Sequence, residues 1–108
     1  MIFKRKLRYV LVEASRSVNL GDEREERDLR SRLHGVMGEA AYFRANPRTA
    51  AQLSESVFII SVNRGCEKDL GLALSFVKTL GSESVGFWTI KTSGTVKGLK
   101  AQFKKLYG

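Results

Sequence analysis

A chain of 108 residues holds one domain, and 43% apolar with 28% charged residues is ordinary for a folded protein, which argues against both a multidomain organisation and intrinsic disorder. The lone cysteine, Cys66, and the lone histidine, His34, exclude a disulfide scaffold and a His/Cys zinc module. Nineteen Lys and Arg against eleven Asp and Glu give a net charge of +8, a surplus that favours a polyanionic partner.

In chain order, Lys6 to Ala14 predicts a first strand, because Tyr9, Val10, Leu11 and Val12 are aromatic, β-branched or apolar and a turn ending in Asn19-Leu20-Gly21 follows. Asp22 then opens a helix. Its carboxylate can cap the early amides, Glu25 can reach back in a capping box, and Leu29, Leu33, Val36 or Met37, and Ala40 form the apolar stripe, with Gly38 near the end. On its solvent face Glu23 with Arg27, Glu26 with Arg30 and Asp28 with Arg32 fall at i, i+4 in the favourable acid-first order. Glu39 to Ala45, with Tyr42 and Phe43, predicts a second strand closed by Asn46-Pro47. Ser54 to Asn63 predicts a third, whose run Val57-Phe58-Ile59-Ile60 requires cover on both faces and hence a central place in a sheet. After Arg64-Gly65, the apolar residues from Leu70 to Leu80 predict a helix stopped by Gly81. Ser84 to Thr92 predicts the last strand, and Ser93-Gly94-Thr95 starts a final helix with Val96, Leu99, Phe103 and Leu106 on one side.

The order is β-α-β-β-α-β with an added C-terminal helix in a single domain over residues 1–108. This is the α+β, ferredoxin-like (RRM-like) pattern, a four-stranded antiparallel sheet with two helices on one face. Strands apolar on both sides also need cover on the second face, from the extra helix or from a partner protein. No apolar run exceeds four residues and the basic start has no signal-like stretch, so a soluble cytoplasmic protein without membrane contact is expected.

The charge is concentrated at the two ends. Residues 1–12 carry Lys4, Arg5, Lys6 and Arg8, residues 84–108 carry Lys91, Lys97, Lys100, Lys104 and Lys105, and neither segment contains an acid. In this fold the first and last strands can lie close together, which would merge the clusters into one basic field. Thr92-Ser93-Gly94-Thr95-Val96-Lys97 has the parts of a phosphate cradle: free amides at the positive end of a helix dipole, a glycine permitting close approach, two hydroxyls and a lysine. The same residues also make an ordinary helix cap. Lys97, Lys100 and Lys104 at i, i+3, i+7 add a lysine stripe. Arg44, Arg48 and Arg64 are scattered and read as surface residues, and Phe87 and Trp88 read as core rather than as base-stacking aromatics.

No spacing offers a nucleophile, a general base or a metal cage, and no catalytic role falls to Cys66 or His34. An acylphosphatase, a small enzyme of this architecture, needs a glycine-rich anion loop after the first strand, where this chain has Ala14-Ser15-Arg16-Ser17-Val18-Asn19.

The basic first strand Lys4-Arg5-Lys6-Leu7-Arg8-Tyr9-Val10, the helix end Val36-Met37-Gly38-Glu39, the strand end Ser61-Val62-Asn63-Arg64, the Ala73-Leu74 pair and above all Thr92-Ser93-Gly94-Thr95-Val96-Lys97 resemble the small ferredoxin-like protein subunit of archaeal and eukaryotic ribonuclease P, the family called ribonuclease P protein component 2 in archaea. The pattern departs where Gly65-Cys66 stands in place of a tyrosine-containing start of the second helix. The resemblance implies a non-catalytic subunit that binds and stabilises the RNA which, with magnesium, removes the 5′ leader of precursor tRNA. It implies no cofactor on the protein itself, ribonuclease P RNA and a TIM-barrel-like protein subunit as partners, and an indirect encounter with precursor tRNA; the strands apolar on both faces leave a homodimer open as well. The compartment would be cytoplasmic in an archaeon and nuclear in a eukaryote. By position, Lys4, Arg5, Lys6 and Arg8 would meet phosphates, Ser93, Gly94, Thr95 and Lys97 would form an RNA-facing helix start, and Lys100, Lys104 and Lys105 would extend it. The competing class is an oligomeric regulatory module that uses the apolar face of Leu99 and Phe103 without RNA.

Overall fold

The computed structural model describes residues 6–108. In chain order they form β1 (Leu7–Ala14), α1 (Glu23–Met37), α2 (Glu39–Ala45), β2 (Arg48–Gln52), β3 (Val57–Asn63), α3 (Glu67–Phe76), β4 (Thr79–Leu80), β5 (Glu83–Ser84), β6 (Phe87–Ser93) and α4 (Val96–Tyr107). The two strands with continuous apolar runs, β1 and β3, take the middle of a sheet ordered β2-β3-β1-β6, in which every neighbouring pair is antiparallel. This is the ferredoxin-like α+β arrangement with a C-terminal helix, as the sequence predicts.

The sheet separates two apolar layers because side chains alternate along each strand. Val10, Val12, Phe58, Ile60 and Val62 pack under α1, α2 and α3, while Leu11, Val57 and Ile59 point the other way and meet Leu99 of α4. The second face is therefore covered by the chain's own last helix. Tyr9, Ile90, Val96 and Phe103 are half-buried around that smaller cluster.

Asp22 caps α1, its carboxylate accepting from the Arg24 amide at 2.9 Å. The expected capping box is altered: Glu25 reaches past Asp22 to accept from the Asn19 amide, and the Asp22 amide donates to the Asn19 carbonyl. Of the three i, i+4 pairs, Glu26–Arg30 closes at 2.8 Å and Asp28–Arg32 at 3.1 Å, whereas Glu23 and Arg27 form no ion pair among the described residues.

Two expectations fail. Glu39–Ala45, expected as a strand, is helix α2. Three alanines favour the helix, Tyr42 and Ala45 share its buried side, and Asn46 closes it in the left-handed conformation (φ 47°) before Pro47. Gly38 joins α1 to α2 at φ 82°, which a residue with a Cβ rarely adopts. The strand lies instead at Arg48–Gln52, where pairing with β3 supplies what a weakly apolar segment does not. The helix expected to reach Gly81 also stops early. After Phe76 the chain extends, burying Val77 and Leu80, and turns at Gly81 (φ 62°) into the β4–β5 hairpin. Two arginines clamp that hairpin: Arg16 donates to the Leu80 carbonyl at 2.9 Å and Arg32 to the Thr79 hydroxyl at 2.7 Å. The Gly81 amide in turn donates to Asp28 at 2.7 Å, and this bond, with Arg32 beside it, lowers the Asp28 pKa.

Candidate nucleic-acid interface

β6 lies beside β1 with Tyr9 opposite Ser93, Val10 opposite Thr92 and Leu11 opposite Lys91. That pairing joins the basic start of the chain to the basic end. The Arg8 guanidinium comes so close to Gly94 that a Cβ there would sit 3.1 Å from Nη1, so this glycine makes room for the arginine. Lys4 and Arg5 lie outside the described residues, and Lys6 is exposed just ahead of β1.

The start of α4 is built from hydroxyls. Thr95, with extended backbone, accepts from the Gly98 amide at 3.0 Å, and Ser93 accepts from the Thr95 amide at 3.2 Å. A Cβ on Gly98 would lie 2.8 Å from Ser93 Oγ and 3.0 Å from Thr95 Oγ1, so the two-hydroxyl cap needs glycine at this position. Charge and hydropathy do not single out Gly98; the signal for it in the sequence is a glycine three residues beyond the Thr95 cap. Capping uses oxygen lone pairs and leaves both hydroxyl protons free to donate, and the first-turn amides of Val96 and Lys97 have no intrahelical acceptor. The cap therefore uses the same residues from which the sequence suggests an anion cradle.

Lys97, Lys100 and Lys104 are exposed and make no ion pair among the described residues. At about 100° per residue they fall within an arc of roughly 60° on one flank of α4. Lys105 lies about 100° further round and belongs to the other flank rather than to the stripe. Lys91 joins the α4 layer through a β-bulge: the register shifts between Leu11, opposite Lys91, and Val12, opposite Thr89, so Ile90 is the extra residue of β6. The acids of α1 lie on the opposite layer of the sheet, beside an equal number of arginines in the same helix, so they do not neutralise the lysines of α4.

The adjacent aromatics divide. Phe87 is buried as expected, but Trp88 is 46% exposed and its indole Nε1 donates to Glu13 at 3.0 Å, so the core reading fails for it. β6 is an edge strand, and at Trp88 no helix closes over the outward face. Exposed apolar surface also occurs where the sequence reading did not put it, on the helical layer. Val36, Met37, Ala41, Leu72, Ala73 and Phe76 line a groove of about 210 Å³, with Leu72 and Phe76 mostly exposed.

Among the described residues no group of three or more His, Cys, Asp or Glu side chains is placed to hold a metal ion, and no helix is long and apolar enough to cross a membrane.

The profile of the Rpp14/Pop5 family matches residues 8–104, from Arg8 to the last lysine of the stripe. The chain belongs to the Rpp14/Pop5 family. Ribonuclease P protein component 2 of Methanoculleus marisnigri is 32% identical over 72 residues, which are 66% of this chain and 44% of that protein, so the match spans less than half of the relative's length. A chain in the cryo-EM structure of yeast ribonuclease MRP resembles this Rpp14/Pop5 family member in fold, with a TM-score of 0.53, 10% identity and coverage of 98% of this chain and 92% of that one.

Proposed function

We propose that this chain is a ribonuclease P protein subunit that binds and stabilises the catalytic RNA during removal of the 5′ leader of precursor tRNA. The observation that carries this reading is the β1–β6 pairing, which sets Arg8 against Gly94 and gathers Lys91, Lys97, Lys100 and Lys104 beside an uncapped pair of helix amides. Cations without acid partners release counterions when they meet phosphates, which favours RNA binding independently of base sequence. Phosphate oxygens would take the amides of Val96 and Lys97, the hydroxyl protons of Ser93 and Thr95 and the Arg8 guanidinium. Lys4, Arg5, Lys6 and Lys105 extend this contact in the proposal. The RNA supplies the catalysis, with magnesium held at the RNA and none by the protein, and precursor tRNA is met indirectly. The basic layer leaves the apolar groove on the helical layer free for the TIM-barrel-like protein partner, so one small domain can bridge RNA and protein.

The regulatory module without RNA relied on the face of Leu99 and Phe103, yet Leu99 is fully buried against the sheet and that surface is already occupied.

Reconstitution tests the proposal. The purified chain free of RNA should cleave no precursor tRNA at any magnesium concentration, and adding it with the TIM-barrel-like partner to ribonuclease P RNA should lower the magnesium needed for cleavage. Cleavage by the RNA-free protein, or an unchanged magnesium requirement, would overturn it.

A further inference from the structure

Glu13 is the only acid in β1, β6 or α4, and two aromatic side chains converge on it. Trp88 stands opposite Glu13 in the β1–β6 ladder and donates its indole N–H to the carboxylate, while the Tyr107 hydroxyl faces the same carboxylate from the end of α4. Both aromatics are nonetheless close to half exposed, at 46% and 45%. The Phe103 ring backs Tyr107 with centroids 4.9 Å apart. The indole tip of Trp88 is therefore held by a hydrogen bond, with the Tyr107 hydroxyl near the same carboxylate, while ring surface stays open to solvent. Holding them in advance lowers the entropy lost when a flat ligand stacks.

The surroundings are cationic. Lys91 stands on the same sheet face two ladder positions from Trp88, brought there by the bulge. Lys104, three residues before Tyr107, lies on the same flank of α4. An apolar protein surface docked here would bury these ammonium groups without acids to meet them, which is costly. A nucleotide fits both features, since its base has a π face and its phosphate a negative charge.

We propose that Trp88 and Tyr107 form a stacking platform for an unpaired nucleotide of RNA, with Lys91 and Lys104 taking the flanking phosphates. This rests on the RNA-binding reading above and adds a preference for single-stranded RNA at one place on the surface. Glu13 is a positioning residue for the Trp88 ring, and Phe103 backs the ring of Tyr107.

Trp88 is the only tryptophan, so its emission reports on this site alone. The full chain is titrated with single-stranded oligoadenylate, with a blunt RNA duplex of equal length, and with inorganic polyphosphate, which has charge but no bases. Oligoadenylate should quench Trp88 saturably, whereas duplex and polyphosphate should bind with little quenching. Trp88→Ala should weaken oligoadenylate binding roughly 5- to 150-fold while duplex affinity stays unchanged, and Trp88→Phe should keep most of the single-strand affinity. Circular dichroism of both variants controls for folding. Equal binding of both RNAs to wild type and Trp88→Ala without quenching overturns the platform and leaves the lysine-based reading standing. Binding of none of the three probes overturns both. If Trp88→Ala abolishes self-association and leaves RNA affinity intact, the surface belongs to a protein contact and the platform is wrong.

Discussion

Changing Lys97, Lys100 and Lys104 together to alanine isolates the electrostatic share of RNA binding. All three are exposed, none is in an ion pair among the described residues, and alanine is the best helix former, so α4 should keep its fold. Each lysine that neutralises a phosphate contributes to the slope of log K against log salt by an amount of about 0.9 on B-form DNA and about 0.7 on single strands, which bracket the range for a structured RNA. The triple variant should therefore lose roughly 2 to 3 from the magnitude of the slope. Between 50 and 200 mM salt the wild type should lose roughly 20- to 40-fold more affinity than the variant. Filter binding to structured RNA at four or five salt concentrations, with a thermal melt of each protein, measures this directly. Equal slopes for two proteins of equal stability would remove this flank of α4 from the RNA interface, whatever the affinities.

Leu99→Ala should cost about 2 to 5 kcal/mol, measured by urea denaturation, because it empties the centre of the smaller apolar layer. Gly98→Ala combines a gain of about 1 kcal/mol in helix propensity with a loss of similar size as the new Cβ displaces the Ser93 and Thr95 hydroxyls. Its melting temperature should barely move while RNA affinity falls, and unchanged affinity would refute the cap as a contact. Asp28 has a folded pKa below its unfolded value, so its contribution to stability is full above the unfolded pKa near 4 and fades as pH falls through the folded value. Urea midpoints at pH 6 and pH 2.5 should accordingly differ less for Asp28→Asn than for wild type.

What could be read in advance followed from strong local signals. The run Val57-Phe58-Ile59-Ile60 located β3, Asp22 and Gly38 bracketed α1, and Ser93-Gly94-Thr95 marked the start of α4, because periodicity and capping act over a few residues. α2 and β2 were exchanged because Tyr42 and Phe43 carry strand-like weight on their own, whereas Arg48–Gln52 is strand only through its partner β3. The β4–β5 hairpin depends on Arg16 and Arg32, which reach it from 64 and 47 residues away in sequence. At the candidate interface the basic residues were legible as composition, but the contact of Arg8 with Gly94 and the exposure of Trp88 depend on β6 lying beside β1 at the sheet edge.

The division of the interior by the sheet has a dynamic consequence. α4 is held by one fully buried residue, Leu99, with a half-buried rim, whereas the other three helices share the larger core. The free energy for undocking α4 should thus lie below that for global unfolding, and its amides should lose hydrogen-exchange protection first. RNA that binds only the docked helix would oppose that opening by about 2.7 kcal/mol at a concentration 100 times its Kd. The last helix would then be slow to exchange only in the assembled particle, and its protection would report occupancy of the basic surface residue by residue.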